Sequence, residues 1–449
     1  MAVMATATAS AQEPELLISF KTTYYEQQGS TNNFSIVLGG TDTCFVDVDC
    51  GYGAIEAKII PASVDKESET IKGTEISCQV SSAGTVKIYG DRGSIEYFNG
   101  DGCYITDIKF YDPTPILFLS LNHNVLESLD LSELSGLQAC YLSDNPYDKA
   151  PLKIGGNKPL LTILDISITG NLDQSFNLSD YPSMASFDAM YTPSLTHIDP
   201  SGCPDLLRLS IDDTGVSSVD VSKNSELRIL NVSGSYVTSL DLSKSTNLGQ
   251  LYIGGRRGKF SEIDLSHCPN LYYLFAHNNQ LTSLDVTHNP HLNTLWAHNN
   301  NLSTIDLSNN KELSSVNLSK NYFDFNTLPL DQDSWLEYEY TQNAMSVPRS
   351  YCVNTPLDLR QRVMREGSQT WATVFGVSED DPQNPYELDP SQFTFTDEGL
   401  VIIHEVIADS VIVAYANSLF PYADLQTCKF KVKSQEEYGL DDLKFTFTP

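Results

Sequence analysis

The sequence predicts a mainly β chain wound as a parallel solenoid of about eleven turns, with a separate β domain at each end. Three observations predict it. Apolar residues recur with a period near 21 between about residues 95 and 323. The flanking segments lack that period and alternate apolar with polar residues, as strands do. No run of about 18 apolar residues occurs, so the pattern is not that of membrane-spanning helices.

The repeat is clearest from Leu271. The segment LYYLFAHNNQL places Leu271, Leu274, Ala276, Asn279 and Leu281 in an L-x-x-L-x-L-x-x-N-x-L pattern, and LNTLWAHNNNL repeats it 21 residues later. Between them LTSLDVTHNPH sets Leu281, Leu284, Val286 and Asn289 in the same positions, so each turn nests two half-units. The period runs back through Leu248, Leu227, Leu206, Met184, Leu161, Leu137 and Ile116 to Ile95, and forward to Leu313. This is the signature of a leucine-rich repeat solenoid, in which a single turn cannot close a core and buries its apolar positions by stacking on its neighbours.

The ninth position of the pattern holds Asn279, Asn300 and Asn321 in one half-unit and Asn224, Asn289 and Asn310 in the other. Amides there are expected to bond backbone groups of neighbouring turns. Cys103, Cys203 and Cys268 share the position and are expected to be buried structural thiols. A further file, Asp199, Asp220, Asp241, Asp264, Asp285 and Asp306, is followed two residues on by Ser or Thr. One carboxylate per turn makes a line, whereas calcium needs six to eight converging oxygens. The expectation is turn-to-turn hydrogen bonding with those hydroxyls, and no metal.

Residues 13–94 read as an N-terminal β cap, from ISFKTTYY, FVDVDCGYG and TVKIYG, with turns at Gly39-Gly40, Gly51 and Gly90 to Gly93. A cap covers the apolar end and strand edge of the first turn. Residues 95–345 are the solenoid. Residues 346–449 read as a C-terminal Ig-like β-sandwich, with VIIHEVIADSVIVAYA forming two strands about Ala408-Asp409 and FTFTDEGLVI a strand entering a turn. Residues 1–12 carry Ala9-Ser10-Ala11 before Gln12, a small-residue run of the kind a signal peptidase cuts, and are read as a signal-peptide remnant.

Composition narrows the function. A net charge of −31 and a pI near 4.4 argue against nucleic acid, whose phosphates are held by Lys and Arg. The nine cysteines are scattered and odd in number, so spacing assigns no disulfide and no zinc site. No G-x-S-x-G, H-E-x-x-H, Walker or Rossmann pattern occurs, and His404-Glu405 falls in what reads as an apolar strand. The chain is therefore expected to be no enzyme and to need no cofactor; a carbohydrate-active enzyme, resting on the abundance of carboxylates alone, is the weakest alternative.

In each repeat the positions between the leucines point outward, and beside the Asn-bearing half-unit they are expected to line a concave face. The fifth position then forms a column: Tyr141, Asp165, Asp188, Ser210, Asn231, Tyr252, Phe275, Trp296 and Asn317. Tyr252, Phe275 and Trp296, with Tyr272 and Tyr273 alongside, make an aromatic stripe that a merely solvated face does not need. His277 and His298 follow on adjacent turns, and His267 and His288 stack in the other half-unit; they read as polar columns rather than metal ligands. Arg256 and Arg257, with Lys259, sit in a two-residue insertion next to Tyr252 as a basic spot on an acidic chain, suited to an anionic group. The alternative for the stripe is a ring ladder that only stabilises the sheet.

The segments LTSLDVTHNPHLNTLWAHNNN, SSAGTVKIYGDRGSIEYFNG and YANSLFPYADLQTCKFKV resemble the secreted leucine-rich repeat proteins of Bacteroides and its relatives. The resemblance covers most of the chain. It implies export to the extracellular space, cell surface or periplasm, and binding of a protein or glycan, similar in spirit to internalins. It brings no catalytic residue. The ending FTFTP is similar to the start of a C-terminal sorting domain, while the stretch from Leu142 to Pro204 and the Gly254 to Lys259 loop depart from the pattern. The expected function is capture of a protein or glycan by a monomer; a structural or adhesive spacer is the alternative.

Overall fold

The computed structural model describes residues 14–434 apart from 24–32, 51–54, 61–63, 66–69, 72, 80–83, 114, 157, 333, 346, 348–349, 353, 367 and 407–408. The expected signal-peptide remnant, Gly51, Ala408 and the FTFTP ending lie outside the described residues. The chain forms two compact units, Met1–Ser245 and Thr246–Pro449.

In the first unit, an antiparallel five-stranded sheet runs in the order Ile105–Phe110, Glu15–Thr22, Thr85–Gly90, Cys44–Asp49, Ile55–Ile60. A second sheet begins with Thr74–Gln79, Asn33–Gly40 and Ile95–Asn99, all antiparallel. Alternating apolar residues close the space between them: Phe20 of the first sheet meets Phe34 and Phe98 of the second edge-on, at 6.1 and 6.0 Å. A Cys50–Cys78 disulfide joins the two sheets, a pairing that spacing had not assigned. The turn expected at Gly39-Gly40 is instead strand: pairing with Ile95–Asn99 holds through Gly40 with one register shift, and the bend follows at residues 41–43.

Ile95–Asn99 is where the sheet changes character. Its other edge pairs in parallel with Phe118–Ser120, and the ladder continues through Ala139–Tyr141, Ile163–Asp165, Ser186–Asp188, Arg208–Ser210 and Ile229–Asn231. The stretch that departs from the sequence pattern keeps this register. In the second unit the parallel strands are Gln250–Tyr252, Tyr273–Phe275, Thr294–Trp296, Ser315–Asn317 and Glu337–Glu339. Eleven three-residue strands from Phe118 to Glu339 thus carry the solenoid.

The first ten of these strands bury their central residue, Tyr338 of the eleventh is half-buried, and the periodic leucines are inside. Leu274, Leu284 and Leu295 are all buried, as are Leu137, Leu161, Met184, Leu206, Leu227, Leu248 and Leu313. The bends are held by donor columns. Beside the strands, Asn300 Nδ2 donates to the carbonyls of Ala276 and Ala297, and its Oδ1 accepts from Leu281 N; Asn279 and Asn321 repeat the arrangement. At the opposite bend Asn289 donates to Leu265 O and Cys268 O, and Asn310 to Val286 O and Asn289 O.

In the first unit that opposite column is chemically mixed. Asn224 donates to Pro200 O and Cys203 O, the Cys203 thiol to Leu178 O and Tyr181 O, the Tyr181 hydroxyl to Gly155 O, and the buried Lys158 ammonium to Leu131 O and Leu134 O. Burial raises the Cys203 thiol to about 11 and those of Cys103 and Cys268 to about 12, as for structural thiols.

The Asp file behaves differently from expectation. The backbone N–H of Ser222 donates to Asp220 Oδ1 at 2.9 Å, and the same bond recurs at Asp199, Asp241, Asp264, Asp285 and Asp306. These bonds stay within one turn because a two-residue offset is the closure distance of an Asx turn.

Residues from 350 on form short sheets, two of them antiparallel, while Ser350–Cys352 pairs in parallel with Lys431–Lys433. One has the order Tyr386–Glu387, Thr370–Val377, Ser410–Asn417, Phe420–Gln426; another the order Leu357–Asp358, Leu400–Ile403, Phe393–Phe395. Phe395 packs edge-on against the buried Tyr415 between them. Contrary to expectation, His404 and Glu405 lie past the end of their strand and are exposed, because the Phe393–Ile403 hairpin pairing ends there. Among the described residues no helix is long and apolar enough to cross a membrane.

Candidate functional site

The expected outward column exists in register. In the second unit, Tyr252 lies opposite Phe275, Phe275 opposite Trp296, and Trp296 opposite Asn317. Parallel strands repeat about every 4.8 Å, which is close to the contact distance of aromatic rings. Tyr252 and Phe275 stack face to face, 4.7 Å apart and 6° from parallel, while Phe275 and Trp296 meet edge-on at 4.9 Å and 74°. Tyr273 joins Phe275 edge-on at 6.3 Å, and Tyr272 leans on Tyr273 at 4.7 Å. All five rings remain partly exposed, Tyr272 most, at 39%.

Polar groups fix these rings. Tyr252 donates its hydroxyl to Gln250 Oε1 at 2.9 Å, Gln250 Nε2 donates to the Tyr272 hydroxyl at 2.6 Å, and Trp296 Nε1 donates to Ser315 Oγ at 3.1 Å. Two glycines clear space. A Cβ on Gly249 would come within 2.4 Å of the Tyr272 ring, and one on Gly254 within 2.6 Å of the His277 ring. Sequence reading passed over Gly249 and named Gly254 only as part of a loop that departs from the repeat. The signal was available, because each precedes an aromatic or imidazole in the equivalent position of the next turn.

His277 and His298 stack at 4.8 Å, 8° from parallel, and the Nδ1 of each is buried without a hydrogen-bond partner. Burial, then the neighbouring His298 and Lys259, holds His277 below the usual imidazole range; burial likewise lowers His298, although Glu339 opposes it. Parallel stacking turns ring faces toward each other, whereas a shared metal needs in-plane lone pairs that converge. Among the described residues no group of three His, Cys, Asp or Glu is placed to hold a metal. His267 and His288 each lie beside the hydroxyl of the preceding Ser266 or Thr287.

The basic loop divides in two. Arg256 and Arg257 are exposed, as a clamp for an anion requires. Lys259 is not part of such a clamp: its ammonium donates to the carbonyls of Gly255 and Asn278, so the insertion is braced from within.

In the first unit the same column carries two carboxylates. Tyr141, Asp165, Asp188 and Ser210 align strand by strand, and Arg208 Nε donates to Asp188 Oδ1 at 2.7 Å. Burial nonetheless pushes the Asp188 carboxyl up.

No family model matches the sequence, and no curated protein matches it. Among solved structures, a leucine-rich repeat protein of Leptospira interrogans is 16% identical with a TM-score of 0.41, over 51% of this chain and 68% of that one. The functional domain of InlJ from Listeria monocytogenes, which includes a cysteine ladder, is 17% identical with a TM-score of 0.40, over 79% of this chain and 94% of that one. A TDR receptor is 17% identical with a TM-score of 0.38 over 53% of this chain, which spans 49% of it. The fold class itself rests on the in-register strands and the buried donor columns: this chain folds as a leucine-rich repeat solenoid.

Proposed function

We propose that this chain is an exported binding protein, at the cell surface, outside the cell or in the periplasm, that captures a protein or glycan partner through the strand face of its second unit and performs no catalysis. One observation carries the reading: Tyr252, Phe275 and Trp296 stand in file on the outward side of successive strands, held by Gln250 and Ser315 yet partly exposed. Large aromatics fixed before binding lose little entropy on contact, and such rings dominate binding surfaces. The Cys50–Cys78 disulfide supports an oxidising compartment. In this reading residues 13–94 cap the solenoid, residues 95–345 form it, and residues 346–449 are an Ig-like spacer of a monomeric protein.

The face-to-face stack of Tyr252 on Phe275 favours a second reading, in which the rings only brace a structural or adhesive rod. The two readings separate on one variant. The full chain and its Phe275→Ala/Trp296→Ala form are used to capture proteins from host-cell extract, with a glycan array in parallel. Binding predicts that the variant loses the partner the native protein enriches while its circular dichroism is retained. Bracing predicts unchanged capture and a melting temperature lowered by several degrees, since each ring pair contributes about 0.5–1.5 kcal/mol.

A further inference from the structure

Four successive turns of the second unit's strand face lack carboxylates. The chain carries a net −31, yet its segments 249–259, 272–279, 293–300 and 314–321, which supply four successive turns of that face, contain no Asp or Glu. They contain Arg256, Arg257, Lys259 and Lys320, together with His277 and His298. The carboxylates that end this stretch, Glu337 and Glu339, accept hydrogen bonds from Ser315 Oγ and Asn317 Nδ2 at 2.9 and 2.7 Å. In the first unit the equivalent strands place Asp165 and Asp188 outward. A basic, aromatic face on so acidic a chain is complementary to negative charge.

Ring geometry narrows the ligand further. A sugar ring packs on the open face of an aromatic, and the Tyr252–Phe275 stack at 4.7 Å withdraws one face of each of those rings, while the hydroxyls of Tyr252 and Tyr272 are both engaged by Gln250. The partly exposed rims of these rings offer apolar contact to aliphatic or aromatic side chains. We propose that this face binds an acidic polypeptide segment, its apolar side chains seated among Tyr252, Phe275 and Trp296 and its carboxylates directed to Arg256 and Arg257. The proposal rests on the binding reading above and names the chemistry of the partner.

The test is selection of a random dodecapeptide display library on the full chain, followed by titration of the leading peptide and of its Asn/Gln isostere by fluorescence anisotropy. The expected result is enrichment of Asp and Glu next to Leu, Phe or Tyr, with affinity about tenfold weaker for the isostere and falling with salt. Arg256→Gln/Arg257→Gln should erase the acidic preference and keep residual apolar binding, whereas Phe275→Ala/Trp296→Ala should abolish both. Peptides enriched without acidic bias, or a bias that survives the arginine substitutions, would overturn the partner assignment and leave the binding reading standing. Heparin binding that persists without Phe275 and Trp296, in the absence of peptide enrichment, would also overturn it, by moving the anion site off the rings. Failure of any peptide to enrich, together with unchanged capture by the ring variant, would count against the binding reading itself.

Discussion

Ile168 holds φ of 55° and is 48% exposed, although a β-branched side chain is among the least suited to that conformation. Asn278 and Asn299 fill the same position of their turns at 58° and 56°, where a short amide is tolerated. Ile168→Asn should therefore raise stability by about 1 kcal/mol, read as a higher denaturant midpoint at constant slope. An unchanged midpoint would show that the Ile168 side chain compensates for its backbone. The sequence does not reveal such a position, because left-handed backbone is visible in advance only where Gly or Asn occupies it. Lys158 was illegible for a related reason: it fills an asparagine position without being an asparagine.

At the scale of strands and bends, register was legible because a single spacing rule fixes it. The leucines alternate ten and eleven apart, so inward and outward positions follow by counting, and the Tyr252, Phe275, Trp296 file emerged as read. The local closure of the Asp file was not, since within-turn and between-turn bonding share the same sequence pattern. The stacked imidazoles make a pH-dependent element. Both are lowered from an ordinary value of 6.5, so the folded chain resists their protonation more than the unfolded chain does. Their contribution is complete above about pH 6.5 and is lost as pH falls through the lowered folded values. Lys259 and Lys320 add to the repulsion and Glu339 relieves part of it. Between pH 7 and pH 5 the melting temperature of the native chain should fall more steeply than that of His277→Leu/His298→Leu; parallel curves would refute the linkage.

Across the whole molecule, the sulfur atoms separate by environment rather than by sequence position. Cys50 and Cys78, 28 residues apart, are bridged because two different sheets pack them together, which no spacing argument captures. Cys140, Cys203 and Cys268 are buried, with thiols held near 11 to 12, while Cys428 is exposed. Iodoacetamide at pH 8 should modify Cys428 in the native protein and reach the buried thiols only after denaturant is added, as followed by mass spectrometry. Rapid labelling of Cys203 in the native state would mean that the bends open far more readily than their packing implies.

The mixed column at the bends of the first unit has a bearing on how such a chain can change length. Lys158 stands 24 residues beyond Leu134, Tyr181 23 beyond Lys158, Cys203 22 beyond Tyr181 and Asn224 21 beyond Cys203. The two longest arms serve the two longest loops. What this address requires is a hydrogen atom delivered across a variable gap, so an inserted residue can be absorbed by a lengthened tether without disturbing the coils above and below it.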